Sequence, residues 1–349
     1  MNFTYNWKLS DLEKVKKNGL KAFTTFSCGG GADMGLLMSG FEVLGGCEID
    51  KTILQYYNAN FKHKFVYNED IRDFVKKAQQ RQLPGELYNL DLLHQSPPCS
   101  CFSISGDREK TWGKKKAFRE GQKKQRLDDL FFEAIELVRQ LRPKVATFEN
   151  VEGLVKGKAK IYFNAIIGQL KRIGYQVQCF LIDGSDLGLP QKRKRLFFIA
   201  QRDDFFRKKI QLNFNEKKIT FAQIFDSSCK DFYRPCDVSF NYYITRQKGD
   251  KNLQYCTSRI KNKKSFFNYG IVFDNKPCPT ICGSSCYQLI LDRCCRCINR
   301  NELLAVGSWP VDYNFLDAKL SHKCYLIGMS VPPLMMHKIS QEIHKQLFL

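Results

Sequence analysis

Short apolar runs alternate with helical patterns along residues 1–202 of the chain. The runs are hydrophobic at nearly every position, which predicts parallel strands that are covered on both faces. The predicted strands are residues 22–26, 43–49, 87–93, 145–148, 177–182 and 196–200. Residues 127–141 place their apolar side chains on one side of a helix, with Asp128 and Asp129 in its first turn. This alternation predicts a doubly wound α/β domain.

The alternating pattern ends near Arg202. Residues 203–275 are short mixed runs rich in Asn, Lys, Ser and aromatic residues, and they predict a smaller inserted domain. Periodic structure resumes at Pro277 and ends in a predicted helix over residues 334–348. The sequence thus predicts a larger domain from residues 1–202 plus 310–349, and a smaller domain with its return segment from residues 203–309.

The charge of the chain indicates which class of partner the protein binds. Its 349 residues carry a formal net charge of +21. Basic residues cluster in residues 108–124, 192–195 and 246–264, whereas a merely solubilising surface would spread them evenly. Clustered positive charge favours a polyanionic partner, most simply nucleic acid.

Composition also bears on the compartment. No apolar run is long enough to cross a bilayer, and the polar first residues lack a signal-peptide core. We therefore expect a cytoplasmic protein. In that compartment the 15 cysteines are expected to be reduced thiols rather than a disulfide framework.

The strongest candidate for a reactive side chain is Cys99. It follows the apolar run 87–93 and the step Pro97-Pro98, which fixes the backbone twice and ends the strand. A thiol on a rigid loop at the edge of an α/β sheet lies where ligands of such sheets gather. This position is typical of a nucleophile, whereas a structural cysteine is expected inside the strand.

Three polar segments that follow consecutive apolar runs predict an adenosine-type cofactor. The first run ends in a glycine-rich turn, residues 28–31, that lets a ligand approach the backbone. Glu48 follows the next run, where nucleotide-binding folds place a carboxylate for ribose hydroxyls. Asp70 follows the third run and suits an adenine amino group. A dinucleotide is disfavoured because the spacing G-x-G-x-x-G is absent.

A second set of charged residues borders two later strands. Glu149 closes the run 145–148, and a carboxylate at that position costs free energy unless it is paired or used. In the segment Gln191 to Arg195, Arg193 and Arg195 share a face with Gln191 in strand geometry. An inward arginine could hold Glu149 or a base carbonyl, and an outward one suits phosphate.

Together these motifs resemble those of the DNA (cytosine-5-)-methyltransferase family, of the bacterial or phage type. The matching segments, in the order of that family, are FSCGGGADMG, EID, EDI, SPPCSCFS, RLDDLFFE, FENVEGL, QKRKRL, RNELLAVGSWP and GMSVPP. They cover most of the chain outside residues 203–275. The resemblance implies a doubly wound, Rossmann-like methyltransferase sheet with a second, smaller target-recognition domain.

The resemblance also implies a reaction, the methylation of carbon 5 of a flipped-out cytosine in a specific duplex DNA sequence. S-adenosyl-L-methionine would be the methyl donor. By similarity, Cys99 adds to ring carbon 6, Glu149 contacts ring nitrogen 3 and the exocyclic amine, and Arg195 binds the carbonyl oxygen. Arg193 completes the catalytic set and helps to anchor the DNA strand. Ser103 matches a phosphate-contacting serine.

Other roles are implied in the same way. The loop 105–125 would close over the flipped base, and residues 203–275 occupy the place of the target-recognition domain. The residues that would line the cofactor site are Phe26, Gly30, Gly31, Glu48, Ile49, Asp70, Ile71, Leu130, Ser330 and Val331.

The sequence departs from the family pattern at three places. Cys28 replaces the usual first glycine of the loop, Gln95-Ser96 replaces the usual Gly-Gly, and Met329 replaces the usual Asn before Ser330. A cluster of cysteines between residues 278 and 297 invites a zinc site, but its spacings fit a two-residue knuckle poorly, so no metal is predicted.

Duplex DNA is the expected partner of a monomer that associates with the nucleoid through DNA binding. The protein would act in restriction–modification, in a phage or as a solitary methylase, and a cognate restriction endonuclease is not expected to be bound to it. Two alternatives stay open: a tRNA cytosine-5 methyltransferase on the same scaffold, and a catalytically idle DNA-binding relative.

Overall fold

The computed structural model describes residues 3–98, 129–262, 269–283 and 285–349. The strands in these residues are β1 (Lys21–Thr25), β2 (Glu42–Cys47), β3 (Phe65–Tyr67), β4 (Leu92–Gln95), β5 (Val145–Val151), β6 (Tyr175–Asp183), β7 (Gln191–Lys192), β8 (Lys194–Arg202), β9 (Gly270–Val272), β10 (Cys278–Pro279) and β11 (Leu289–Leu291). The α-helices are α1 (Gly31–Met38), α2 (Lys51–Asn60), α3 (Ile71–Gln79), α4 (Leu130–Leu141), α5 (Lys160–Arg172), α6 (Asp237–Ile244), α7 (Leu253–Ile260), α8 (Ser285–Gln288), α9 (Arg300–Gly307), α10 (Leu320–Met329) and α11 (Pro333–Leu347).

The larger of two compact units comprises Val15–Ile182, Lys194–Asn213 and Met336–Leu349. It contains a seven-stranded sheet in the order β3-β2-β1-β4-β5-β8-β6. Strands β1 to β5 pair in parallel, and β8 runs antiparallel to β5. Because the winding direction reverses between β1 and β4, ligands are expected at the carboxyl ends of these strands.

Helices α3, α4 and α5 bury the apolar residues of the sheet in one continuous core. Phe23 of β1 stacks on Phe74 of α3 with ring centroids 5.7 Å apart. Phe131 of α4 stacks on Phe148 of β5 at 5.1 Å. Fully burying one such ring stabilises the fold by about 2–3 kcal/mol, so these pairs fix the strand ends that carry the polar motifs.

The predicted doubly wound α/β fold is confirmed, with one strand displaced. Residues 85–88 form a 3₁₀-helix, and β4 begins only at Leu92. The cause is Asp91, whose carboxylate accepts a hydrogen bond from the amide of Lys21 at 2.8 Å and pairs with Lys144 Nζ at 2.7 Å. The chain therefore joins the sheet where its neighbours β1 and β5 begin.

The smaller unit comprises Met1–Lys14, Asp183–Arg193 and Phe214–Met335, which differs from the predicted boundaries of 203–309. Its segment 183–193 belongs there because β7 pairs with β10 and Gln191 Nε2 donates to the carbonyl of Val306 at 2.9 Å. Residues 203–213 remain with the larger unit because Ile210 is buried there and bonds to Gln178. Both boundaries are set by contacts between residues far apart in sequence, which the hydrophobic periodicity of the sequence does not reveal.

Among the residues that the structure describes, no helix combines the length and the apolar character needed to span a membrane.

Candidate active site

Glu149 and Arg195 form an ion pair at the carboxyl end of β5. The antiparallel register sets Val151 opposite Arg195, so Glu149 is the diagonal neighbour of Arg195 on the same face of the sheet. Arg195 Nε lies 2.8 Å from Glu149 Oε1, and the two side chains are 13% and 12% exposed. The pair is thus largely sheltered but still open to a ligand. The structure brings these two predicted catalytic residues together.

The chain that leads to Cys99 starts beside this pair. Gln95, the last residue of β4, is in register with Phe148, which precedes Glu149. Asn150, buried in β5, donates from Nδ2 to the carbonyl of Pro97 at 3.3 Å. The predicted nucleophile Cys99, the predicted phosphate ligand Ser103 and the predicted closing loop 105–125 lie outside the described residues.

Sequence reasoning missed a buried hydrogen-bond network under the Pro-Pro step. His94 bonds through Nδ1 to Thr147 Oγ1 and through Nε2 to Ser96 Oγ, each at 3.0 Å. Burial lowers the pKa of His94 to about 3, so the ring is neutral and positions the loop. Gln95 accepts from Thr25 Oγ1 at 3.1 Å, and its Nε2 donates to the carbonyl of residue 134 at 2.9 Å. Gln95 and Ser96, which replace the usual Gly-Gly of the family, therefore both take part in this network.

Arg193, the other arginine of the predicted catalytic set, lies in a different environment from Arg195. Its side chain is 2% exposed and belongs to the smaller unit. The guanidinium donates to the carbonyls of Ile281, Gly328 and Ser330 at 2.9, 3.1 and 3.0 Å. The guanidinium is thus buried and engaged by three backbone carbonyls, and the catalytic and DNA-contacting roles of Arg193 stay predictions. Its hydrogen bonds join residue 281, two residues after β10, to the end of α10.

The glycine-rich turn between β1 and α1 takes backbone conformations that require its sequence. Gly30 has φ +81°, and a Cβ there would overlap the ring of Phe61. Phe26 and Cys28 also have positive φ, 54° and 47°. A non-glycine residue in this region costs roughly 1 kcal/mol. Cys28 thus keeps the turn that the usual glycine would form, and its amide donates to Glu48 Oε2 at 2.9 Å.

Glu48 and Ile49 form the edge of the site at the end of β2. The second carboxylate oxygen of Glu48 accepts from the amide of Asp50 at 2.9 Å, and burial raises the pKa of Glu48. Asn68 Nδ2 donates to the carbonyls of residues 48 and 49 at 2.9 and 3.1 Å. Ile49 remains 40% exposed, an apolar surface beside an anchored carboxylate. This combination suits a ribose and a flat base.

The remaining predicted cofactor residues divide between the two units. Asp70 caps α3 by accepting from the amide of Arg72 at 2.9 Å, and its side chain is 28% exposed. Ile71 and Leu130 are buried in the first turns of α3 and α4. Ser330 and Val331 are buried in the smaller unit, where Ser330 Oγ donates to the carbonyl of residue 326 at 2.7 Å.

A second feature that the sequence did not reveal is a buried polar cluster beneath the glycine-rich turn. Asp33 of α1 has no exposed surface. Its carboxylate accepts from Tyr57 Oη at 2.7 Å and from Thr24 Oγ1 at 3.1 and 3.2 Å. His63 Nε2 lies 3.9 Å from Asp33 Oδ1. Burial raises the pKa of Asp33 from 3.8 to about 7 and lowers the pKa of His63 to about 4.

The cysteines of residues 278–297 are dispersed in the smaller unit. Cys278, Cys286 and Cys297 are buried, whereas Cys282 and Cys294 are exposed. Over the described ranges, no group of three or more His, Cys, Asp or Glu side chains is placed to hold a metal ion.

Comparison with known proteins gives consistent matches. The chain is 30% identical to type II methyltransferase M.FnuDI of Fusobacterium nucleatum, over 53% of this chain and 48% of that protein. It is 25% identical to type II methyltransferase M.Bsp6I of Bacillus sp. over 94% of this chain and 99% of that protein. In fold it is similar to a mutant of Spodoptera frugiperda DNMT2, with a TM-score of 0.66 and 18% identity over 95% of this chain and 100% of that chain. A model of the C-5 cytosine-specific DNA methylases matches residues 20–345, and the chain therefore belongs to that family.

Proposed function

We propose that this protein methylates carbon 5 of a flipped-out cytosine in a specific duplex DNA sequence, with S-adenosyl-L-methionine as methyl donor. The observation that carries the proposal is the sheltered ion pair of Glu149 and Arg195 beside the strand that leads to Cys99. Membership of the C-5 cytosine-specific DNA methylases supports the reaction class. The adduct with Cys99 and the flipping of the base are what the resemblance to this family implies.

Cys99, Glu149 and Arg195 each have a defined task on the cytosine ring. The base must leave the stack before its ring carbon can be attacked. The thiolate of Cys99 forms a bond to carbon 6, which moves ring electrons toward carbon 5 and nitrogen 3. Glu149 contacts nitrogen 3 and the exocyclic amine, and Arg195 donates to the carbonyl oxygen. Preorganised charges of this kind stabilise the developing charge without reorganisation during the step.

Product formation requires that the bond between Cys99 and carbon 6 is broken again. Once carbon 5 has taken the methyl group, a base removes the proton from that carbon. The carbon–sulfur bond then breaks and returns the electron pair to Cys99, which restores the aromatic ring. The Glu149–Arg195 pair has a fixed geometry and would contact the same ring atoms throughout. It would therefore assist both the addition and the elimination of Cys99.

The larger unit fits an adenosine-type cofactor. Gly30 lets the turn after β1 take its left-handed conformation, and Glu48 presents a carboxylate that two backbone amides hold in place. Ile49 offers exposed apolar surface next to it. When bound, S-adenosyl-L-methionine would supply an electrophilic methyl group. We assign its adenosine part to these residues together with Asp70, and Ser330 and Val331 remain predicted ligands.

We assign target recognition to the smaller unit, which consists of Phe214–Met335 and the short segments Met1–Lys14 and Asp183–Arg193. Its helices α6 and α7 expose apolar side chains, including Phe240 at 45% and Tyr255 at 49%. Ring faces and basic residues on a domain separate from the catalytic sheet suit contacts to bases and phosphates.

The named relatives support a setting for the reaction. They include type II methyltransferases of bacteria and an orphan methyltransferase of Bacillus phage SPR. We propose that this protein acts as a DNA methylase of a restriction–modification system, of a phage or on its own. It would be a monomer in the cytoplasm, associated with the nucleoid through DNA and not bound to a nuclease.

Methyl transfer from labelled S-adenosyl-L-methionine tests the proposal directly. The purified protein is incubated with unmethylated duplex DNA of a foreign genome and, separately, with total tRNA. We expect label in DNA only, released as 5-methylcytosine, with bisulfite sequencing reporting the target. Cys99→Ser should abolish transfer while DNA affinity is kept, because the nucleophile is lost but the charged surface is not.

Three results would contradict the proposal. Label in tRNA alone would make the protein a tRNA methyltransferase, and no label in either substrate would make it an idle relative. Unchanged turnover of the Cys99→Ser variant would remove the assigned nucleophile.

A further inference from the structure

The larger unit carries a basic groove at the edge of the sheet opposite the candidate active site. Two adjoining hollows of about 510 and 540 Å³ share Lys208 and Gln346 in their walls. We call them together the basic groove. Its basic lining residues are Lys144, Arg207, Lys208, Lys209 and Lys345, and the acidic side chain in the same lining is Glu342.

The position of the groove follows from the register of β5 and β8. Val145, at the start of β5, faces Gln201, and Val151, at its end, faces Arg195. The groove lies beside the first of these pairs, and the Glu149–Arg195 ion pair lies beside the second. Six residues of strand separate the two ends, a distance of roughly 20 Å. The residues of the basic groove are therefore distinct from the catalytic pair.

The loop that carries the cations is held in place at its far end. Ile210 exchanges two hydrogen bonds with the side-chain amide of Gln178, at 2.7 and 3.0 Å. Gln211 does the same with the side-chain amide of Gln346 on α11, at 2.9 and 2.8 Å. At the other end Phe205 packs on Phe348 with ring centroids 5.1 Å apart. The loop thus presents its cations from a preorganised backbone, which lowers the entropic cost of binding.

The charges of this loop are not neutralised within the part of the chain that the structure describes. Arg202, just before it, pairs with Asp204 at 2.6 Å, and Lys144 pairs with Asp91 at 2.7 Å. Arg207, Lys208 and Lys209 are exposed, and among the described residues none of them forms an ion pair. The guanidinium of Arg207 lies over the ring of Phe205, 5.0 Å from its centroid, which leaves its charge in place. Three successive cations without an ion pair repel one another, a cost that an anionic ligand would relieve.

We propose that the basic groove binds the phosphate backbone of duplex nucleic acid at a site separate from the catalytic edge. Cations spaced along an open groove match a line of phosphates, whereas a single small anion would use only part of the lining. The two rings in its lining, Phe205 and Phe348, pack against each other, so the contacts of the groove are independent of base sequence. It holds a second stretch of DNA while the catalytic edge acts on its target.

The test compares two triple variants that remove the same charge from the full-length protein. One is Arg207→Gln, Lys208→Gln, Lys209→Gln in the basic groove. The matched control is Lys16→Gln, Lys17→Gln, Lys62→Gln, three exposed lysines of the same unit that form no ion pair with a described residue. Binding of a random-sequence duplex of about 30 base pairs is measured by fluorescence anisotropy between about 50 and 200 mM salt.

Each lost phosphate contact lowers the slope of log K against log salt by about 0.9, so the groove variant should lose about 2.7 in slope. Between about 50 and 200 mM salt, the association constant for the duplex should therefore fall by a factor about 40 times smaller in the groove variant than in the native protein. The control should keep most of the native slope. Methyl transfer to a short duplex should be unchanged in both variants, which separates this proposal from the assigned reaction.

Three outcomes would overturn the proposal. An equal loss of slope in both variants would show that net charge alone matters. An unchanged slope in the groove variant would show that these cations contact no phosphate. Loss of binding to anionic lipid vesicles, with duplex binding intact, would assign the groove to a membrane surface instead.

Discussion

Replacing Asp33 with Asn tests whether the carboxyl group beneath the glycine-rich turn is held uncharged. Asp33 has no exposed surface, and its hydrogen-bond donors Tyr57 and Thr24 are both neutral. An isolated charge in such a site is costly, so burial raises the pKa of Asp33 from 3.8 to about 7. An Asn side chain has the same shape and can accept the same bond from Tyr57.

The sign of the pH effect follows from proton binding. Between about pH 4 and pH 7 the folded protein keeps a proton on Asp33 that the unfolded chain has lost. The free energy of unfolding therefore falls as the pH rises through this range, by about 1.4 kcal/mol for each pH unit. The full effect is about 4 kcal/mol, of which about 3 kcal/mol lies between pH 5 and pH 8.

The measurement is urea unfolding of the native protein and of Asp33→Asn at about pH 5, 6, 7 and 8. The native protein should lose about 3 kcal/mol relative to the variant across this series. Asp204→Asn is the matched control, because Asp204 is exposed and its pairing with Arg202 lowers its pKa. Its difference from the native protein should stay constant with pH.

A difference that does not change with pH would refute the reasoning, since it would mean that Asp33 titrates alike in both states. An ionised Asp33, for example one paired with a protonated His63 at 3.9 Å, would not itself titrate between about pH 5 and pH 8. A flat series would therefore remove burial as the dominant effect at this site.

Three further substitutions give separate outcomes. Arg195→Met unpairs its carboxylate partner, and single-turnover assays with labelled methyl donor should show a loss of about 10²–10³-fold in rate with DNA binding kept. Gly30→Ala places a Cβ against Phe61 at φ +81° and should destabilise the protein by roughly 1–3 kcal/mol and weaken cofactor binding in calorimetry, whereas Gly85→Ala, with open space around it, should do neither. Arg193→Met removes the donor from three backbone carbonyls and should lower the free energy of urea unfolding by roughly 3 kcal/mol. A loss of DNA affinity without a loss of stability would instead support the predicted phosphate contact.

Much of the sheet could be predicted because its local signals agree. Continuous apolar runs such as 145–148 can be buried only between two covering layers, and they became central strands. Glu149, directly after such a run, lies near the carboxyl end of β5, two residues before its last residue, and the basic segment before residue 196 supplies its partner. The strand at residues 87–93 was placed too early because Asp91 is engaged by neighbours that lie far away in sequence.

The alternation of strands and helices, the sheet edge of the candidate site and the family of the chain could all be inferred from the sequence. Which partners the polar side chains contact could not be inferred, because the folded chain sets those partners. Arg193 has the same local pattern as Arg195, yet its guanidinium donates to backbone carbonyls up to 137 residues away. Gln95 donates to a helix carbonyl 39 residues away. The physical reason is that periodicity records which face of an element is buried, whereas a hydrogen bond or an ion pair depends on the partner that the folded chain brings to that face.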